Sequence, residues 1–233
     1  MWDLGAERSK FGNRRRPKQP GRSMAVSRLI EAPRPISIKR LPWMRRIHVH
    51  SPKVGRTVVL FSHETLAAWA LAESCPLIKS FCEYPGYVEL DGQRVVADFW
   101  VQGDGREQFV KLEDSIDLTP EGSARVPTYT DAEVSRVTSD WLGLHADWID
   151  NWLRINPYLV ANARFVTPAM IERVASLFDD DRTLFDAEHA VRDMDTQLAR
   201  TAVFMLLHQG RLGSDGLMLR PLAGTTVFRR RAG

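Results

Sequence analysis

Residues 84–114, YPGYVELDGQRVVADFWVQGDGREQFVKLED, decide the fold class of this chain. Apolar and alternating runs separated by Asp91-Gly92 and Gly103-Asp104-Gly105 read as three short strands joined by glycine turns. The first begins upstream, within LIKSFCEYPGYVEL, and QRVVADFWVQ and EQFVKLED complete a meander. Two charged residues fall inside these runs, Asp98 and Lys111. Burying a charge unpaired costs several kcal/mol, so each needs a partner or a chemical role.

Upstream, RRIHVHSPKVGRTVVLF alternates and then turns apolar, which predicts a hairpin with its turn over residues 51–55. SHETLAAWALAESCP reads as a helix: Ser62 is its N-cap, Leu66, Trp69, Ala70 and Glu73 recur at helical spacing, and Pro76 stops it. Before these elements lies a basic arm, residues 1–40, without sustained periodicity. Residues 1–50 hold 13 Lys and Arg against three acids, a balance of +10 within a chain of net charge +3. Such an arm is the electrostatic footprint of phosphate-backbone binding, with Arg14, Arg15, Arg16, Lys18, Arg45 and Arg46 as candidate contacts.

After Asp114 a polar stretch with Pro120, Gly122 and Pro127 predicts a linker over 119–130. The chain then reads as helical. Trp141, Trp148 and Trp152 fall at i, i+7 and i+11 on one helix face, where Leu142 and Ile149 favour core or interface packing over base stacking. TPAMIERVASLF opens on a Thr cap and a first-turn Pro, DAEHAVRDMD follows, and LARTAVFMLLHQG ends at Gly210. GLMLRPL and TTVFRR are expected to pair as a ribbon around Ala223-Gly224. Three helices plus a hairpin form a winged-helix pattern, and Arg229, Arg230 and Arg231 beside it are further candidate phosphate contacts. The acidic run Asp179–Asp181 reads as a solvated loop.

No apolar run reaches the roughly 18–20 residues of a membrane span, and no secretory signal is visible. Cys75 and Cys82 lack zinc-site spacing, so a cytoplasmic protein is expected. His48 and His50 share a strand face without an evident third metal ligand.

Metal-dependent phosphodiester cleavage needs carboxylates around a divalent ion and a lysine to stabilise developing charge. A helix acid, a strand aspartate and an acid-x-Lys on the adjacent strand supply them compactly, because strand period two puts the acid and the lysine on one face. Here the order is a helix with Glu64 and Glu73, then Asp98, a glycine turn, and Lys111.

SHETLAAWALAE, SFCEYP before DGQRVVADFWV, EQFVK, and the C-terminal VFMLLHQGRLGSDGLMLRPLAGTTVF together resemble the TnsA-type endonuclease subunits of heteromeric, Tn-seven-like bacterial transposases. These belong to the restriction-endonuclease-like nucleases. The resemblance implies an α/β class: a restriction-endonuclease-like core over 41–118, a mixed sheet flanked by helices, followed by a helical winged-helix-type domain over 131–233. It implies a bacterial, cytoplasmic, Mg²⁺-dependent endonuclease (Mn²⁺ substituting) that cuts the 5′, non-transferred strands of double-stranded DNA at transposon ends. The implied partners are a DDE-type transposase and an AAA+ ATPase regulator.

By that resemblance Glu64 and Asp98 are the metal ligands and Lys111 the catalytic lysine, with Glu73 the alternative helix acid. Two positions depart from the family pattern. Ala97 stands where the family has Pro, and Phe109 stands two before Lys111, where the family carries Glu or Gln. A phenyl ring cannot bind Mg²⁺. A bulge after Gly105 could turn Gln108 or Glu107 toward the metal, or Glu113 could reach back. Otherwise the chain is a catalytically degenerate DNA-binding and assembly subunit. A winged-helix transcription regulator is the third reading.

Overall fold

A computed structural model describes residues 32–39, 41–122 and 126–231. Strands β1 (Ile47–Ser51) and β2 (Arg56–Leu60) form the expected hairpin, in register from Ile47↔Leu60 to Ser51↔Arg56. Helix α1 (His63–Ser74) starts at a capping box: the Ser62 hydroxyl accepts from the Thr65 N–H, and the Thr65 hydroxyl accepts from the Ser62 N–H. From Ala68 to Ser74 every residue of α1 is buried. A helix apolar all round belongs in the middle of a protein, and α1 packs between the sheet and the helices that follow.

The main sheet comprises β3 (Ser80–Glu83), β6 (Phe99–Gly103), β7 (Arg106–Leu112) and β9 (Val134–Val137), in the order β3-β6-β7-β9. The first two pairings are antiparallel and β7–β9 is parallel. A smaller sheet, β5-β4-β8, holds β4 (Tyr87–Leu90), β5 (Gln93–Val96) and β8 (Thr128–Tyr129).

The expected three-strand meander is therefore corrected to five strands in two sheets. The first run breaks at Tyr84–Gly86, where Pro85 has no N–H for a ladder and φ is positive at Tyr84 (44°) and Gly86 (144°). Gly86 is needed there: a Cβ would lie 2.5 Å from the Pro127 carbonyl oxygen. The second run breaks at Ala97–Asp98, so the β4–β5 hairpin lifts away from the main sheet. The turns at Asp91-Gly92 and Asp104-Gly105 carry the positive φ values that such dipeptides predict.

The span expected as a linker is tied down. Pro127 O accepts from Tyr87 N at 2.9 Å, Ile38 bridges Pro120, and β8 and then β9 join the two sheets as parallel strands.

Beyond β9 come α2 (Ser139–Gly143), α3 (Ala146–Asn162), α4 (Pro168–Ala175), β10 (Arg182–Thr183), α5 (Leu184–Ala190), α6 (Thr196–His208), β11 (Leu212–Gly213) and β12 (Val227–Arg230). The chain bends at Leu144–His145, so the tryptophans divide between two helices, Trp141 on α2 and Trp148 and Trp152 on α3. Trp148 and Trp152 pack into the core: Trp148 Nε1 donates to Ser74 Oγ of α1 at 2.8 Å and Trp152 is buried, while Trp141 is half-buried.

The expected ribbon of GLMLRPL with TTVFRR does not form. Asp215–Met218 is a 3₁₀ turn, and β12 lies between β10 and β11, antiparallel to both. Helix α6 is enclosed by α3, α4 and α5 and buries Ala199, Thr201, Ala202, Val203, Phe204, Leu206 and Leu207. One continuous apolar core runs from Val58 to Phe228 through both halves of the chain. Among the described residues no helix is long and apolar enough to cross a membrane.

Candidate functional site

Asp98 sits where β5 gives way to β6, and its N–H donates to Val110 O at 2.9 Å. That contact follows from the Phe99↔Val110 register and brings Asp98 beside Lys111 of β7. The two form an ion pair of 3.2 Å. Asp98 Oδ2 also accepts from Leu112 N at 2.8 Å and from the Ser115 hydroxyl at 2.9 Å, while Lys111 Nζ donates to Ser115 Oγ at 2.7 Å. Asp98 is 0% exposed and Lys111 9%.

Burial pushes the Asp98 carboxyl above its ordinary range, against the opposing pull of Lys111 and the donors at Leu112 and Ser115. Asp98 Oδ1 is buried and has no hydrogen-bond partner among the described residues. Sequence reasoning missed Ser115, whose place in a polar turn carries no signal of its role. It also missed Tyr84: this phenol accepts from Phe61 N at 3.2 Å, its N–H donates to Asp98 O at 2.9 Å, and burial with the nearby Asp98 charge raises its pKa.

Phe109 lies opposite Trp100 and packs on Tyr129, ring centroids 4.6 Å apart. With Cys82, Val88, Ala97 and Trp100 it forms a separate buried cluster, so the position that carries Glu or Gln in the resembling family is filled by apolar packing. Neither rescue is present. Strand β7 keeps unbroken register from Gly103↔Arg106 to Phe99↔Val110, so no bulge rotates it, and Gln108 Nε2 donates instead to Ser135 Oγ of β9 at 2.5 Å. Glu113 is exposed past the strand end, its N–H bonded to Val137 O.

The helix acids go elsewhere. Glu64 lines a cavity of ≈ 280 Å³ with His63, Ser139 and Asp150, between α1 and the α2–α3 corner. Glu73 is structural: it accepts from the Ser51 hydroxyl and from Lys53 N (2.9 Å), and lies 2.9 Å from His208 Nε2 of α6. Lys53 Nζ caps the end of α1 by donating to Ala72 O and Cys75 O, both at 2.7 Å. Burial lowers its pKa to about 8 despite Glu73.

Among the described residues no three His, Cys, Asp or Glu side chains are arranged to hold a metal ion. A divalent ion at Asp98 would find one spare carboxylate oxygen and a phenylalanine, which is a poor donor set. The residues present do not fit Mg²⁺ or Mn²⁺. Thiol chemistry has no footing at the neighbouring Cys82, whose pKa burial pushes up to about 12.

Of the candidate phosphate contacts, Arg14, Arg15, Arg16 and Lys18 lie outside the described residues. Arg45 and Arg46 are exposed, and Arg46 with His48 borders a groove of ≈ 420 Å³ walled by Ile36, Ile38, Val59 and Tyr84. Arg229 and Arg230 face acids: Asp215 at 3.4 Å and Asp181 at 3.8 Å for the first, Asp179 at 3.0 Å for the second. The acidic run is thus not merely solvated. Arg231 is exposed, its backbone N–H bonded to Arg211 O. The chain matches no protein-family model and no curated relative.

Proposed function

We propose that this chain is a DNA-binding assembly subunit of a bacterial transposition complex, built on a nuclease-type core whose cleavage centre is closed. The observation that carries this reading is the pairing of Asp98 with Lys111, Ser115 and Leu112, next to a Phe109 buried among aromatic side chains. Helix α1, the antiparallel β3-β6-β7 strands and the adjacency of Asp98 to Lys111 are consistent with a restriction-endonuclease-like scaffold. Among the described residues a donor set for the metal is lacking, which supports binding over hydrolysis.

The C-terminal order of helix, strand, two helices, strand, loop and strand, with β12 central, is consistent with a winged helix. Its third helix, α6, is enclosed and not free to enter a major groove, which weighs against a transcription regulator that reads bases through it. A DDE-type transposase and an AAA+ regulator are the proposed partners.

A second reading, Mg²⁺-dependent cleavage of the 5′ strands, is favoured by one observation, the spare buried oxygen Asp98 Oδ1. The two separate in a nicking assay on supercoiled plasmid with Mg²⁺ or Mn²⁺. The closed-centre reading expects salt-dependent DNA binding that is indifferent to metal, and no nicking. Metal-dependent nicking by the native chain, abolished in a folded Asp98→Ala variant, would overturn it.

A further inference from the structure

A cavity of ≈ 400 Å³ opens where α3, α5 and α6 meet the loop ahead of β12, and none of its lining residues belongs to the Asp98 centre. Leu184 of α5 and Leu222 of the loop give it an apolar wall; Arg154 and Tyr158 of α3, one helical turn apart, and Arg200 of α6 give it a polar one. Both walls are held in place. Asn151, a turn before Arg154, donates through Nδ2 to Leu217 O and Arg220 O, both at 2.8 Å, and accepts at Oδ1 from Leu222 N at 2.7 Å. Arg200 is gripped by Glu188 of α5, Nε to Oε1 at 2.5 Å and Nη2 to Oε2 at 3.2 Å, and its Nη1 donates to the Tyr158 hydroxyl at 3.1 Å. The Tyr158 ring packs edge-on against Phe204, centroids 5.3 Å apart. The site is therefore formed before any ligand arrives, which removes an ordering cost of binding.

The hydrogen-bonding groups of this cavity are one-sided. Of the five N–H groups of the Arg200 guanidinium, Glu188 and Tyr158 take three, which leaves one on Nη1 and one on Nη2 without an acceptor among the described residues. The Tyr158 hydroxyl accepts from Arg200, and its own proton has no acceptor among them. Arg154 is exposed and has no side-chain partner among them. A lone exposed arginine is ordinary, but here it stands beside a second guanidinium and a phenol fixed by other contacts. Acceptors are already spent: Glu188 is buried with both oxygens on Arg200, and Ala223 O and Gly224 O of the loop accept from Thr226 N and Phe185 N.

We propose that this cavity binds a small anionic molecule, a phosphomonoester or a carboxylate carried on an apolar body, with its head on Arg154, Tyr158 and Arg200. A wall of spare donors is satisfied by a ligand group that only accepts, and phosphate and carboxylate are the groups that a guanidinium holds with short, charge-assisted hydrogen bonds. A cationic ligand would be repelled by both arginines. The apolar body fits against Leu184 and Leu222, in a volume within the range of small-molecule sites. Duplex DNA carries its phosphates on a continuous backbone and has no group to place on that apolar wall. The inference does not depend on the DNA-binding reading above.

The test titrates the full chain by calorimetry with phenyl phosphate, benzoate and benzylamine, which share a ring and differ in head group. Phenyl phosphate or benzoate should bind and raise the melting temperature, while benzylamine should do neither; the tighter of the two anions identifies the head group. Arg154→Gln is expected to weaken anion binding about 5- to 10-fold. Tyr158→Phe, which keeps the ring on Phe204 and removes the O–H, is expected to weaken it about 3- to 5-fold. Arg154 is exposed, so its variant should melt like the native chain, and it carries the test alone if Tyr158→Phe loses stability. Binding of neither anion by the native chain overturns the inference, as does equal binding by a folded Arg154→Gln variant. Displacement of the bound anion by a duplex oligonucleotide would give these donors to the DNA backbone and overturn it too.

Discussion

Two buried acids, Asp98 and Glu73, lie within the same α/β half and have opposite hydrogen-bond accounts. Glu73 is 1% exposed and both its oxygens accept hydrogen bonds, one from the Ser51 hydroxyl and the other from Lys53 N, with His208 Nε2 2.9 Å away. It binds the β1–β2 turn to α1 and α1 to α6, so it is architecture. Asp98 crowds every donor onto Oδ2 and leaves Oδ1 with none. A buried polar atom without a partner costs about 1–3 kcal/mol. Asp98 thus keeps a buried acceptor that no described residue uses.

The contrast can be broken most forcefully at Phe109. Phe109→Glu restores the residue type that the resemblance asks for, yet it puts a carboxylate among Trp100, Tyr129 and Val88. The expected loss is about 5 kcal/mol, from lost aromatic burial plus the buried charge, read by urea unfolding. A clear rise in its melting temperature on adding Mn²⁺ would mean that Asp98 can still be completed as a metal centre.

Glu73→Ala should come next, costing about 3–5 kcal/mol because Ser51 and Lys53 lose their common acceptor and the close contact with His208 is lost too. A loss below about 1 kcal/mol in the same unfolding experiment would remove Glu73 from the architecture. Lys111→Ala should cost about 2 kcal/mol, less than a broken buried pair usually does, because Asp98 can take up a proton instead of staying charged.

The smallest effect is expected from Asp98→Asn, about 1 kcal/mol near neutral pH, since an amide oxygen can still accept from Leu112 N. Its pH trend is more informative than its size. The folded-state pKa of Asp98 is raised, so its favourable contribution is fully present below the unfolded carboxylate pKa and fades as pH rises through the folded value. Asp98→Asn should therefore gain on the native chain as pH rises from about 3.5 to 8. Parallel stability curves across that window would contradict the burial argument.

Short-range chemistry was legible in the residues themselves. The Ser62 cap, the hairpin turn over 51–55, the Asp-Gly turns and the Thr167-Pro168 helix start depend on neighbours within a few positions, and each stands where expected. The adjacency of Asp98 and Lys111 was legible too, because one tight turn joins their strands. The split of the meander was not. Strand pairing is set by which edge meets which, and Pro127, some forty positions away, closes against Gly86. Nor could β8 and β9 be foreseen, since a parallel partner arrives by a crossover that local periodicity does not announce.

The amino-acid sequence by itself determined the local elements, the charge imbalance, and the presence of Phe109 where a ligand would have to be. Only the tertiary structure decided what surrounds each charge: that Ser115 completes the Asp98 pair, that Glu73 serves the core, that acids face Arg229 and Arg230. The physical reason is range. Caps and turns are settled over a few residues, whereas the partner of a buried or paired charge is chosen by contacts that exist only once distant strands and helices have closed around it.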